Sequence, residues 1–245
     1  MRAGSTVGVV IPALNEEAVI GQVVAAIPAW VDEVVVVDNG STDATAAVAQ
    51  EQGARVIQEP QRGYGAACLA GLAALPDPDI IVFMDGDGSD VPKEMDFLVD
   101  PLIQDKAELV IGSRVLGIRE SGALSPQARF GNWLACWLIH LFWGQSYTDL
   151  GPFRAIRRQS LLCLAMQDRD YGWTVEMQVK AAIQGLRIRE VPVSYRRRVG
   201  TSKISGTLRG VMGAGIKILY VIFREALASV LSGKTAGKAG SCRQG

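Results

Sequence analysis

Residues 80–90 read IIVFMDGDGSD, an apolar run that ends in three carboxylates interleaved with glycine and serine. A continuous run of strand-forming residues is typical of a buried strand in a parallel sheet. Open α/β sheets bind their ligands at the carboxyl ends of such strands. Asp85 and Asp87 can reach one Mg²⁺ or Mn²⁺ ion, which keeps open positions for substrate phosphates. The stretch therefore predicts a metal–diphosphate site, with a solvated turn as the alternative for this motif taken alone.

Outward from this strand, short apolar runs alternate with segments of helical spacing. This alternation predicts an α/β fold with a mostly parallel sheet and helices on both faces. The first strands are expected at Val7–Ile11, Glu33–Val37, Ala54–Ile57, Ile80–Met84 and Leu109–Ile111. The helices between them are expected at Glu17–Ile27, Asp43–Glu51, Gly65–Leu75 and Lys93–Ile103. Later strands are expected at Gly151–Ala155 and Leu186–Tyr195, and later helices at Gln159–Met166 and Val175–Ile183.

Two further helices differ in composition from the others. Phe130–Trp143, within 128–144, has three tryptophans and no Asp, Glu, Lys or Arg, which favours a membrane interface. In the second helix, 208–231, three cations fall within an arc of about 80° opposite an apolar face, which is typical of a helix on an anionic membrane. The cations are Arg209, Lys217 and Arg224, and the apolar residues are Val211, Ile218 and Ile222. Packing on the core or in a dimer is the alternative, and residues 232–245 are expected to form a disordered tail.

Composition excludes several classes of function. The 25 basic and 25 acidic residues balance, so the global charge predicts no nucleic-acid partner. The single histidine, His140, lies in an apolar segment, which argues against Ser-His-Asp and His-zinc sites. The loop after the first strand contains Glu16 and Glu17 and no glycine, whereas a dinucleotide cofactor needs glycines there. No run reaches the roughly 20 apolar residues that span a bilayer.

Seven short motifs, in this order, resemble those of the family 2 glycosyltransferases of GT-A fold, a Rossmann-like nucleotide-diphospho-sugar transferase fold. The nearest branch is similar to the dolichyl-phosphate mannose and polyprenyl-phosphate glucose synthases. The motifs are Ile11–Glu16, Val37–Asp43, Gly63–Ala67, Met84–Asp87, Ile111–Arg114, Asp149–Arg154 and Tyr195–Lys203. The resemblance implies a GT-A domain over 1–207, followed by the helix at 208–231.

The resemblance also implies a role for each matching residue. Pro12, Asn15, Glu16, Asp38 and Gly40 would form the nucleoside pocket, and Gly65 with Ala66 would close over it. Asp85 and Asp87 would bind the metal, and Ser89 takes the third ligand position, where many members have a glutamine. Arg114 would face the donor or acceptor phosphate, and Asp149 would lie near the transferred sugar, followed by Arg154. Arg198 and Lys203 would hold the two phosphate groups. Of these, Asp87, Asp149, Arg154, Arg198 and Lys203 are the expected catalytic residues.

The function implied is metal-dependent, inverting transfer of a hexose from a UDP- or GDP-linked sugar to polyprenyl or dolichyl phosphate. A soluble or different lipid acceptor is the alternative, and a non-catalytic nucleotide-sugar-binding scaffold is another. Asp149 would act as a general base only for a hydroxyl acceptor, because a phosphate oxygen is already anionic. The expected location is the cytoplasm, peripheral at the inner face of the cell membrane, and a homo-oligomer is left open.

Overall fold

A seven-stranded sheet forms the centre of the structure, a computed structural model that describes residues 1–199 and 208–231, without the side chains of 208–212. The strand order is β3-β2-β1-β4-β6-β5-β7. Only β6 runs antiparallel to its neighbours, β4 and β5, which confirms a mostly parallel sheet. The strands are β1 (Val7–Ala13), β2 (Glu33–Asp38), β3 (Arg55–Gln58), β4 (Ile80–Phe83), β5 (Leu109–Ser113), β6 (Arg154–Arg157) and β7 (Ile188–Pro192).

Helices cover both faces of the sheet, as the alternating pattern predicts. They are α1 (Ile20–Ala25), α2 (Thr45–Glu51), α3 (Tyr64–Ala74), α4 (Met95–Ile103, after a 3₁₀ turn at Pro92–Glu94), α5 (Pro126–Trp143), α6 (Arg158–Leu164), α7 (Trp173–Ile183) and α8 (Leu208–Leu231). Successive strand residues point to opposite faces. Val10 and Phe83 therefore join the core under α3, α5, α7 and α8, while Val9 and Val82 join the core under α1, α2 and α4.

Several elements begin a few residues from the predicted position, and two of these differences affect loops near the site. Helix α1 begins at Ile20 and not at Glu17, because Glu16 and Glu17 donate their backbone N–H groups to side chains of the 43–45 segment. Strand β6 begins at Arg154 and not at Gly151. Residues 149–153 instead form the loop that leads into this antiparallel strand.

Helix α8 packs against α5 and α7 and buries Val221 and Ile222. Two cations of the predicted basic stripe pair with buried carboxylates of the domain, since Lys217 Nζ lies 2.9 Å from Asp168 Oδ2 and Arg224 Nη2 lies 3.6 Å from Glu176 Oε1. Ile222, from the predicted apolar face, is buried against the domain, which agrees with the alternative of packing on the core. A membrane role for this helix stays a prediction. The side chains of Arg209 and Val211 lie outside the described part. In that part, no helix is both long and apolar enough to cross a membrane.

Candidate active site

A polar cleft of about 560 Å³ opens at the carboxyl ends of β1, β2 and β4. It brings together six of the residues predicted for the site, namely Pro12, Asn15, Glu16, Asp85, Asp87 and Arg198. Five further lining residues belong to the motifs quoted above but had no predicted role, namely Leu14, Asn39, Gly63, Tyr64 and Gly86. Arg62, Asp170 and Tyr171 also line the cleft and lie outside those motifs. The cleft thus lies where ligands of parallel α/β sheets bind.

Side-chain hydrogen bonds join the loops after β1 and β2. Asn15, in the left-handed region at φ 53°, accepts a 2.8 Å hydrogen bond at Oδ1 from the backbone N–H of Thr42. Asp38 is buried and accepts from the N–H of Ser41, so it shapes its own loop and does not line the cleft. Gly40 does not line it either. The neighbouring Asn39 does line the cleft, and its buried side chain bonds to the backbone of Glu59, Gln61 and Gly63, so it holds the 59–63 loop against the end of β2.

The start of α3 contacts a distant segment of the chain. A Cβ atom on Gly65 would lie 2.0 Å from the Asp168 carbonyl oxygen, and Ala66 donates its N–H to the Arg169 carbonyl at 2.9 Å. Gly65 and Ala66 therefore support the 168–170 segment and do not close over the cleft, contrary to prediction. The cleft wall is formed by their neighbours and by Asp170 and Tyr171. The absence of a side chain at Gly65 was the sequence signal for this close approach.

Ser89 supports the carboxylate of Asp87. Its buried hydroxyl donates to Asp87 Oδ1 at 2.5 Å, and its backbone N–H donates to the same oxygen at 2.9 Å. The hydroxyl is thus used to orient Asp87. The place of Ser89 as a third metal ligand stays a prediction.

The carboxylates beyond β4 carry more negative charge than their own surroundings neutralise. Burial and the neighbouring Asp87 raise the pKa of Asp85 to about 7, and burial together with Asp85 raises the pKa of Asp90. Asp85 Oδ1 and Asp90 Oδ1 are buried without a hydrogen bond of normal geometry. In residues 1–199 and 208–231, no group of three His, Cys, Asp or Glu side chains is placed to hold a metal ion. The buried Asp85 Oδ1 without a hydrogen bond of normal geometry, next to Asp87, fits a cation that takes two carboxylates and leaves positions for phosphate oxygens.

Arg198 reaches the cleft because its segment pairs with the loop after β4. Val199 donates its N–H to the Asp87 carbonyl at 3.1 Å, and Arg196 donates to the Ser89 carbonyl at 2.9 Å. The guanidinium of Arg198 lies 2.8 Å from Glu16 Oε1 and 3.5 Å from Asp87 Oδ2. It is therefore a fixed positive charge between two walls of the cleft. Lys203, predicted for the same role, lies outside the described residues.

Asp149 is fully buried and bound by one arginine. Arg114 approaches it through Nε, Nη2 and its backbone N–H, at 2.8, 2.7 and 2.8 Å. Burial lowers the pKa of Arg114, but Asp149 more than offsets this and raises it overall. The same guanidinium lies 5.0 Å from the ring centre of Tyr195. Because both oxygens of Asp149 accept from Arg114, the conditional general-base role does not fit this geometry, and the pair positions the surrounding loops.

Arg154 is also buried, behind the 149–153 loop. Its guanidinium donates to the carbonyl oxygens of Leu150, Gly151 and Thr174. Burial lowers the pKa of this arginine to about 10. Arg154 is not among the residues that line the cleft, so the catalytic role predicted for it is replaced by a structural one.

A second cavity, the apolar groove, also measures about 560 Å³ and lies beside the first half of α5. It is lined by Val115, Arg119, Leu124, Pro126, Arg129, Phe130, Asn132, Trp133, Cys136, Tyr147 and Thr148. Asn132 bonds to the backbone of Thr148 and Leu150, on either side of Asp149. Tyr195 forms isolated β-bridges with both Arg119 and Asp90, so it lies between the groove and the cleft loop. The sequence analysis did not identify this groove.

The chain is similar to known proteins over most of its length. Residues 8–164 match the family model Glycosyl transferase family 2. An uncharacterised glycosyltransferase of Mycobacterium tuberculosis is 43% identical, covering 90% of this chain and 99% of that protein. The dolichyl-phosphate hexose transferase of Haloferax volcanii is 34% identical, covering 89% of this chain and 95% of that protein. The crystal structure of glucosyl-3-phosphoglycerate synthase from Mycobacterium tuberculosis with Mn²⁺, UDP-glucose and phosphoglyceric acid has a TM-score of 0.73 at 26% identity, covering 92% of this chain and 81% of that chain.

Proposed function

The chain belongs to glycosyl transferase family 2, and from this premise we propose that it transfers a hexose from a nucleoside-diphosphate sugar to polyprenyl phosphate. Its GT-A fold and its similarity to glycosyltransferases identify it as a hexosyltransferase and set the scaffold alternative aside. The observation that carries the choice of acceptor is the apolar groove with two arginines. One of these, Arg119, forms a β-bridge with Tyr195, which forms another with Asp90 in the loop after β4.

The polar cleft fits the donor. Asn15, Asn39 and Tyr64 line the part that a nucleoside would occupy. Asp85 and Asp87 would hold Mg²⁺ or Mn²⁺, which when bound supplies positive charge to the leaving diphosphate. Arg198 adds a fixed positive charge, and Ser89 keeps Asp87 oriented. The structural neighbour with Mn²⁺ and UDP-glucose supports this assignment.

The apolar groove fits a phosphate with an apolar tail. Arg119 and Arg129 provide positive charge, and Phe130, Trp133 and Leu124 provide apolar walls. A phosphate oxygen attacks the anomeric carbon from the face opposite the nucleoside diphosphate, which departs with inversion. This oxygen is anionic and needs no general base, which agrees with an Asp149 already bound to Arg114.

Exposed apolar side chains on α5 and α8 support attachment to the membrane that holds such an acceptor. Tryptophan favours the membrane interface, and contiguous apolar surface marks interaction sites. The exposed residues are Phe130, Trp133, Trp137, Leu141 and Phe142 on α5, with Ile216, Tyr220, Phe223 and Leu227 on α8. We therefore place the enzyme as a peripheral protein at the inner face of the cell membrane.

A second candidate acceptor is a small soluble phosphate. It is favoured by the structural similarity to glucosyl-3-phosphoglycerate synthase, whose crystal contains phosphoglyceric acid. The groove arginines fit that phosphate as well. The apolar walls have no part in binding so polar an acceptor, and they favour the lipid.

The test is transfer of labelled sugar from UDP-glucose or GDP-mannose, with Mn²⁺, to either polyprenyl phosphate or 3-phosphoglycerate. We expect label in the organic phase with polyprenyl phosphate and no label on 3-phosphoglycerate. Asp87→Asn serves as the inactive control. Label on 3-phosphoglycerate alone would establish the second candidate, and label on neither acceptor would contradict both.

A further inference from the structure

Helix α8 contacts the segment that forms one wall of the polar cleft. This wall segment, residues 167–172, contributes Asp170 and Tyr171 to the cleft. Its backbone carbonyl oxygens accept hydrogen bonds from the N–H groups of Gly65 and Ala66, at the start of α3. The position of the wall segment therefore sets the shape of the cleft on that side.

Two buried carboxylates hold the wall segment in place. Asp168 Oδ1 accepts from the N–H groups of Asp170 at 2.8 Å and Gly172 at 3.1 Å. Glu176 Oε2 accepts from the N–H groups of Asp168 at 2.8 Å and Gln167 at 3.1 Å. The side chains of Asp168 and Glu176 are 1% and 0% exposed. Removing the partner of a charge buried this deeply destabilises the surrounding structure.

The charge that faces Asp168 comes from α8. Lys217 Nζ lies 2.9 Å from Asp168 Oδ2, whereas Glu176 has two basic partners, Lys180 at 2.9 Å and Arg224 at 3.6 Å. Helix α8 also packs tightly here, since a Cβ atom on Gly172 would lie 2.8 Å from Val221 Cγ2. Neutralisation of the Asp168 carboxylate therefore depends on α8 more than neutralisation of the Glu176 carboxylate does.

We propose that Lys217 is a positioning residue for the donor nucleotide, acting through Asp168 and the wall segment on Asp170 and Tyr171. This inference rests on the proposed role of the polar cleft in binding a nucleoside diphosphate. It makes α8 part of the donor site, although none of the α8 side chains that the structure describes, 213–231, lines the cleft.

The test is the dissociation constant of UDP and of GDP, measured by calorimetry with Mn²⁺ on the full chain. We expect Lys217→Met to weaken nucleotide binding by about tenfold, the usual size of coupling between sites. The KM for the sugar donor should rise by a similar factor, while the KM for polyprenyl phosphate stays unchanged. Lys217→Arg should restore binding, and Lys106→Met, at an exposed lysine far along the chain, is the matched control.

The double variant Asp168→Asn/Lys217→Met separates positioning from loss of folding. An asparagine retains the oxygen that accepts from Asp170 and Gly172 but no longer needs a counter-charge, so the double variant should bind nucleotide more tightly than Lys217→Met. Equal nucleotide affinity of Lys217→Met and wild type, or no recovery in the double variant, would overturn the inference alone. A wild-type protein that binds neither UDP nor GDP would instead overturn the proposed function.

Discussion

Asp87 and Asp149 are both acids that the sequence marks as catalytic, yet their surroundings are opposite. Asp87 lines an open cleft with Asp85, and its nearest cation, Arg198, lies at 3.5 Å. Asp149 is closed off and accepts three hydrogen bonds from Arg114. The difference shows that a motif can place a carboxylate near a site without leaving it free to act. Variants at these two acids and in the regions around them test this difference.

The largest effect is expected for Asp87→Asn. Loss of this carboxylate removes half of the proposed metal site, so turnover should fall by about a thousandfold, as for removal of a strong electrostatic group. The free energy of unfolding should change little. Sugar transfer and urea denaturation measure the two quantities, with Glu51→Gln on the exposed face of α2 as the control. Retained turnover with Mn²⁺ would refute the metal role.

Asp149→Asn should show the reverse pattern. It leaves the buried guanidinium of Arg114 without its counter-charge, which should lower the free energy of unfolding by about 3 kcal/mol. Urea denaturation measures this loss. The double variant Arg114→Met/Asp149→Leu should regain part of the stability, because the unpaired charge is gone. An Asp149→Asn protein of unchanged stability and abolished turnover would show that Asp149 is catalytic after all.

Arg119→Gln tests the apolar groove, which is lined by Thr148, next to Asp149 in the chain. The KM for polyprenyl phosphate should rise by about tenfold, the value of one charge-assisted contact. The KM for the sugar donor should stay constant, since Arg119 does not line the polar cleft. Steady-state kinetics with each substrate varied in turn would separate the two. A rise in the donor KM alone would assign Arg119 to the cleft.

The smallest effect is expected at the outer surface of α8. Leu227→Ser should weaken binding to anionic liposomes by roughly fivefold, because one exposed leucine contributes about 1 kcal/mol when it enters lipid. Leu162→Ser, at a leucine of similar exposure on α6, is the control. Sedimentation with liposomes measures the effect. Equal binding of both variants and wild type would exclude this part of α8 as a membrane contact.

The fold could be predicted because short continuous apolar runs, typical of buried parallel strands, alternate with segments of helical spacing. The open part of the site could also be predicted, since Glu16 and Asp87 directly follow parallel strands whose ends meet at one edge. The orientations of Ser89, Asp149 and Arg154 could not, because each is decided by a partner that sequence spacing does not reveal. The apolar groove was missed for a similar reason: its walls come from the 115–136 and 147–148 stretches, which meet only after folding.

The close approach of α3 to the wall segment has a consequence for redesign of the enzyme. Gly63 and Gly65 would each place a Cβ atom within 2.1 Å of a backbone carbonyl, so a larger residue there forces the main chain apart. Libraries that aim to exchange one sugar nucleotide for another should leave these two glycines fixed. Asn39 belongs to the fixed set too, because its side chain bonds to the backbone of the 59–63 loop. Diversity belongs at Asp170 and Tyr171, which line the opposite wall of the cavity.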